Sequence, residues 1–351
     1  MKDTMRAAVY HGPDDIRLEE VPVPQIGPDE ILVKVLNANI CGTDIRILHG
    51  HHRKYPEGTV RIPGHEMAGK IVKVGENLQK YQLGDHVFIA PNMGDGDSRE
   101  TISGNNNLDP NYRAIGINLD GAFAEYMRVP AEAIRQGNVM HIPPEEDPAV
   151  AALIEPLACV VRGQNAVKVR TGDVVVVMGA GPIGVMHMMV AKARGAGYVL
   201  VSELVEFRRI QALELGADRV VDPINENLTA VVQEISDGRG ADVVIVAAPS
   251  KIAQESALQV ASVGGRINLF GGLPKDDSFI RFDSNVVHYK ELVVTGTTAC
   301  STYDCLQAAD LVRFGRIDLG KLVTKRFALS EIKKAFAAAE DGTNLRVSLI
   351  P

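Results

Sequence analysis

The rhythm of apolar positions changes near residue 156. Before it, short β-rich stretches (Met5–Val9, Ile31–Ala38, Met67–Val74, His86–Ala90) are divided by Gly, Pro and Asp turns, with little helical periodicity. That pattern predicts a compact, irregular β-barrel or sandwich. After it, strand and helix patterns alternate. Leu157–Ala166 reads as a helix and Val174–Met178 as a strand. The pairs Tyr198–Ser202 with Glu206–Leu215 and Val220–Val221 with Thr229–Ser236 follow. Val243–Ala247, Gln254–Val263, Arg266–Phe270 and Leu292–Gly296 complete the alternation. Right-handed crossovers then give an α/β, doubly wound parallel sheet that binds ligands at its carboxyl edge. Tyr303–Phe314 and Ser330–Glu340 are amphipathic helices, and Arg346–Ile350 is a closing strand.

The second half is organised around Val174–Met178, a β-branched run expected to be buried on both faces of its sheet. Gly179-Ala-Gly181-Pro182-Ile183-Gly184 follows at once, and then an apolar segment of helical length. Gly179 permits the tight turn, Gly181 lets the backbone approach a pyrophosphate, and Gly184 lets the helix pack closely on the strand. The next strand ends in Glu203, whose carboxylate suits the two ribose hydroxyls of an adenosine and repels a 2′-phosphate. The expected cofactor is NAD(H). Arg208 and Arg209 follow Glu203 and leave some room for NADP. The uncharged run from Val174 to Ala191 is broken by Gly-Pro and reads as strand, turn and helix rather than a membrane span.

Composition narrows the picture only slightly. A net charge of −7 argues against nonspecific binding to nucleic acid or anionic membrane. The N-terminal residues lack an apolar signal core, so the expected location is the cytoplasm. Cys41, Cys159, Cys300 and Cys305 are too few and too scattered for a disulfide scaffold.

Two clusters of metal-ligand residues lie in the β-rich part: Cys41-Gly-Thr-Asp44 after one apolar strand, and Pro63-Gly-His65-Glu66 before another. Together they offer a thiolate, an imidazole and carboxylates, a mixture that Zn²⁺ accepts.

These clusters and the downstream glycine fingerprint, in this order, resemble the zinc-containing medium-chain dehydrogenase/reductase superfamily, nearest the sorbitol (polyol) and threonine dehydrogenases. The resemblance implies a GroES-like catalytic domain from residues 1–155 and 297–351, with a Rossmann domain at 156–296. It implies a catalytic zinc on Cys41, His65 and Glu155, with Glu66 able to enter the coordination shell. Such a set leaves a fourth position open for a substrate hydroxyl. Thr43 then resembles the residue that accepts the hydroxyl proton, and Asp44 one that orients His65. Arg346 falls where the family places a base on the cofactor pyrophosphate. Relatives pair subunits through the strand that Leu292–Gly296 matches, which implies a homotetramer or homodimer.

Two departures qualify the likeness. Where many members hold a second, structural zinc on four cysteines, residues 91–120 contain none. This stretch reads as a surface loop with solvated Asp95, Asp97 and Glu100, so one zinc per subunit is expected. Arg46 stands where relatives often place a proton-passing histidine, and Arg cannot lose a proton near neutrality. His49, His51 and His52 follow closely, and one of them could substitute as the proton-passing residue. With Arg53 and Lys54 they form a loop suited to a hydroxyl-rich or phosphorylated substrate. The expected activity is NAD-dependent oxidation of a polyol or related secondary alcohol, with L-threonine as the nearest alternative. A zinc-free enone or quinone reductase needs none of the three ligands. A non-catalytic dinucleotide-binding protein is the rival from another class.

Overall fold

The computed structural model describes residues 2–351. The chain divides into two compact units, and the division falls inside the helix Ile154–Val167. One unit holds the residues up to Ala158 with Ala299–Arg313 and Asp318–Pro351; the other holds Cys159–Thr298 and Phe314–Ile317.

In the first unit the strand Ile31–Ile40 is central. It pairs antiparallel with Glu66–Val74, with Tyr126–Val129 and with Arg346–Ile350, the last of which pairs parallel with Val323–Ala328. On the far side Glu66–Val74 pairs with His86–Ile89, and that strand with Val139–His141. Buried Ile31, Leu32, Ile71, Phe88 and Phe123 line the core. Each such side chain contributes about 1.5–3 kcal/mol by leaving water. The registers position the chemistry. Asn39 faces Glu66 on one side, and Ile40 faces Val347 on the other. The residues that continue these ladders, Cys41, His65 and Arg346, therefore arrive at one level of the sheet.

Residues 91–120 are more than the surface loop their polarity suggests. Asn92–Met93 pairs with Arg113–Ala114, and Asn92, Asn106, Asn107 and Asp109 are buried. Asp109 is the hub. Its carboxylate accepts from the Ser98 hydroxyl, from Thr101 Oγ1 at 2.7 Å, and from the amides of Asp95 at 3.1 Å and Asn111 at 2.8 Å. Burial pushes its pKa up, but these donors outweigh burial and hold it at about 2. Polar side chains that satisfy one another can be buried, and this lobe is built from them.

The second unit is a six-stranded, wholly parallel sheet. Its order is Arg219–Val221, Tyr198–Ser202, Val174–Met178, Ala241–Val246, Ala261–Leu269, Val293–Gly296. The chain winds outward from Val174–Met178 in one direction, then returns and winds outward in the other, so the fold is a Rossmann sheet whose topological switch lies at that strand. All five of its residues are buried. One helix begins earlier than its pattern predicts, at Lys251 rather than Gln254, because Ser250 Oγ caps it by accepting from Ala253 N. It ends at Val260. Ala261 is already extended, so the next strand starts five residues before Arg266.

One helical stretch among the described residues, Pro148–Val167, is long and apolar enough to cross a membrane, but 78% of its most apolar window is buried inside the protein.

Candidate active site

The helix Gly42–Leu48 starts where the strand Ile31–Ile40 ends, with Cys41 as its N-cap. Asp44, three residues on, is fully buried and accepts from the Cys41 amide at 2.9 Å through Oδ2. Its Oδ1 stands 3.2 Å from Nδ1 of His65, which is also buried. Ligand atoms of Cys41, His65 and Glu66 lie within 4.8 Å of one another. Burial raises the Cys41 thiol, but hydrogen bonding and charge from His65, with help from Arg346, pull its pKa down to about 5. Burial lowers that of His65, yet Asp44 and Cys41 hold it well above its usual range. Burial drives Glu66 well upward against the pull of Arg346.

This set fits a cation. Asp44 Oδ1, His65 Nδ1 and both Glu66 carboxylate oxygens are buried without a hydrogen bond of good geometry. Such atoms cost about 1–3 kcal/mol each when left unmatched, and more when charged. Thiolate, imidazole and carboxylate are donors that zinc takes together.

Three further residues singled out by the sequence lie around this set. Glu155, also buried, groups with Cys300 rather than with Cys41 and His65. The Glu155 Oε1 lies 3.7 Å from Cys300 Sγ, which is itself 3.7 Å from Cys305 Sγ. Burial is the main reason its pKa rises to about 7; His65 lowers it and Cys41 raises it, so it feels the charges of the cluster without joining it. Arg346, expected on the cofactor pyrophosphate, lies in the same cluster as Glu66. It is 3% exposed, 3.0 Å from Glu66 Oε1, and donates to the Ile40 carbonyl. The sheet register spends it on the cluster. His49 is likewise engaged, with Nδ1 2.6 Å from Asp14 and Nε2 2.5 Å from Glu340. Thr43 Oγ1 accepts from Arg46 Nη2 at 3.2 Å. Sequence reasoning missed Cys300, because nothing local marks it and only the tertiary fold brings it to Glu155.

In the second unit Gly179 has φ +106°, in the region that favours glycine. A Cβ on Gly184 would collide with the Gly179 carbonyl, which fixes that residue by packing. Gly181, the N-cap, has open space where a Cβ would sit, and Pro182 opens the helix Pro182–Ala193. Ile183 follows in the same first turn, whose amides have no earlier helical carbonyl to bind. Such a turn suits a phosphate. Glu203 is 8% exposed; Oε2 accepts from Ala180 N at 2.7 Å and Oε1 from Val205 N at 2.9 Å. Arg209 donates to the Glu203 and Leu204 carbonyls and pairs with Asp222 at 3.2 Å. It is therefore occupied, while Arg208 sits half-buried on the helix Glu206–Glu214.

A chain that carries both a Rossmann sheet with a phosphate-ready turn and a β-rich unit with a Cys-His-Glu donor set has the parts of a metal- and dinucleotide-dependent oxidoreductase. Comparison with known proteins agrees. Residues 27–144 match the alcohol dehydrogenase GroES-like domain, and residues 182–313 match the zinc-binding dehydrogenase domain. The L-threonine 3-dehydrogenase of Pyrococcus furiosus is 34% identical over 99% of both chains. A zinc-binding dehydrogenase of Sinorhizobium meliloti, solved with NADP, superposes with a TM-score of 0.91 at 31% identity over the whole of both chains. The 2R,3R-butanediol dehydrogenase of Bacillus subtilis does so with a TM-score of 0.89 at 28% identity over 99% of each. The chain belongs to the zinc-dependent medium-chain dehydrogenase/reductase superfamily.

Proposed function

We propose that this protein is an NAD-dependent dehydrogenase of a small polyol or related secondary alcohol, with one catalytic zinc per chain. The observation that carries the reading is the donor set of Cys41, His65 and Glu66, whose ligand atoms lie within 4.8 Å of one another. When bound, zinc supplies Lewis acidity toward the substrate hydroxyl and the nicotinamide supplies a hydride acceptor. The chain's own residues do the rest. Asp44 holds the His65 ring through Nδ1, next to the Cys41 thiol. Arg346 balances the buried charge of Glu66. Thr43 Oγ1 takes the hydrogen bond of the substrate hydroxyl, and Arg46 Nη2, 3.2 Å away, holds the Thr43 side chain in place. Glu155, whose buried carboxylate feels the charges of His65 and Cys41, is the further protein ligand that the family resemblance implies. The carboxylate of Glu203 supports NAD over NADP, and the engagement of Arg209 supports the same choice.

The Asp109 hub supports a single zinc, because it supplies the cross-links that a metal would otherwise provide in residues 91–120. The half-exposed edge strand Val293–Gly296, with Tyr289 78% exposed just before it, supports a homo-oligomer. In that case Val293→Lys should yield a smaller species by light scattering, and an unchanged mass would refute pairing there.

L-Threonine is the second reading of the substrate, favoured by the name and 34% identity of the Pyrococcus relative. Turnover of NAD and of NADP with a panel of polyols, diols and L-threonine tests both readings. A metal-dependent rate on one class names the substrate. Equal rates with NAD and NADP would refute the cofactor choice, and chelator-resistant reduction of enones would refute the mechanism.

A further inference from the structure

The helix Gly42–Leu48 splits its side chains between two tasks. Asp44 turns inward to Cys41 and His65. Thr43 and Arg46, three residues apart, share another side of the helix and are joined by their hydrogen bond. Arg46 is exposed, and no carboxylate pairs with it among the described residues. Asp44, on the same helix, is spent on Cys41 and His65.

Arg53 is also exposed and has no acidic partner. Between the two in sequence lies His52, half-buried, with its ring 6.0 Å from that of Tyr55. Burial first, then the charges of Arg46, His65 and Arg53, lower its pKa to about 4. It is therefore neutral near pH 7. Two guanidiniums remain without counter-charge, and one of them is anchored to the hydroxyl assigned to the substrate's proton. Because Arg cannot pass a proton, Arg46 is not a relay. Its planar fork is suited instead to carboxylate or phosphate.

We propose that Arg46, backed by Arg53, forms an anion subsite, so that the substrate carries a carboxylate or phosphate within a few bonds of its reacting hydroxyl. This inference rests on the dehydrogenase reading above and narrows its substrate class.

Two matched pairs test it, with NAD and zinc-loaded protein: L-threonine against 1-aminopropan-2-ol, and sorbitol 6-phosphate against sorbitol. In the wild type one anionic member should exceed its neutral partner in kcat/KM by about 10- to 100-fold, the range of one or two charge-assisted bonds. The pair that shows the preference separates carboxylate from phosphate. Arg46→Gln should collapse that ratio, Arg46→Lys should restore part of it, and Arg53→Gln should lower it less. Taking the ratio cancels whatever the lost Thr43 contact does to the chemical step. Turnover with no anionic preference in either pair, or an Arg46→Gln ratio equal to that of the wild type, would overturn the subsite while leaving the dehydrogenase reading intact. No turnover on any of the four, with binding of neither inorganic phosphate nor acetate by calorimetry, would overturn the subsite, and the dehydrogenase reading falls only if the wider panel of polyols and diols is also inert.

Discussion

Asp44 joins the two metal-ligand motifs: one carboxylate oxygen accepts from the amide of Cys41, and the other stands 3.2 Å from Nδ1 of His65. A single side chain therefore fixes the start of the helix and the orientation of the imidazole. Asp44→Asn keeps the size but loses the charge that holds His65. Zinc affinity, measured by chelator competition, should fall about 10- to 100-fold. Unchanged affinity in a folded variant would remove Asp44 from the site.

The glycines of the second unit separate packing from cofactor binding. Gly184→Ala places a methyl against the Gly179 carbonyl and should destabilise the unit itself. Gly181→Ala meets no protein atom, and its φ of −65° is open to alanine. This variant should keep the wild-type Tm yet lose NADH binding, read by fluorescence titration, by about tenfold or more, because a methyl there occupies the space a pyrophosphate needs. Full NADH affinity in Gly181→Ala would place the phosphates elsewhere.

Residues 91–120 depend on Asp109. Hydrogen bonds to a charged acceptor contribute about 1.5–3 kcal/mol each, and Asp109→Ala removes several at once. The variant should unfold at lower denaturant and be cut by protease within this stretch first. Added zinc should not rescue it. Rescue by zinc would reveal a metal site that the polar hub conceals.

Much of the fold was legible because its periodicity is strong. Val174–Met178 and Tyr198–Ser202 form strands with the same bounds the sequence predicts, since β-branched runs buried on both faces carry an unambiguous signal. Local chemistry moved other boundaries: Ser250 starts its helix early, and no apolar period marks a cap. Residues 91–120 look like solvent-exposed loop because Asn and Asp are usually exposed, and their mutual hydrogen bonds are tertiary information. The motifs brought Cys41, His65 and Glu66 to notice. Which carboxylate stands closest, and what Arg346 does there, follow from strand register and side-chain direction, which spacing along the chain does not encode.

His187 sets a pH limit on the second unit. It is wholly buried, its ring centroid 4.6 Å from that of Phe270, and Nε2 has no hydrogen-bond partner. Burial, and then the charge of Arg194, lower its pKa from 6.5 to about 3. Between those values the unfolded chain binds a proton that the folded protein does not. The stability is therefore complete above pH 6.5 and is lost as pH falls toward 3, with a slope near 1.4 kcal/mol per pH unit. Denaturation of wild type and His187→Gln between pH 6 and 5 should show that slope only in the wild type. Parallel pH profiles would show that His187 does not titrate in this way.

The most direct test of the central claim is zinc content per chain, measured with NADH affinity on wild type and Cys41→Ser. The account expects one zinc in the wild type. In Cys41→Ser it expects loss of zinc and of alcohol oxidation, with NADH still bound by the intact second unit. Two tightly held zincs, or a Cys41→Ser protein that keeps both its metal and its activity, would contradict it.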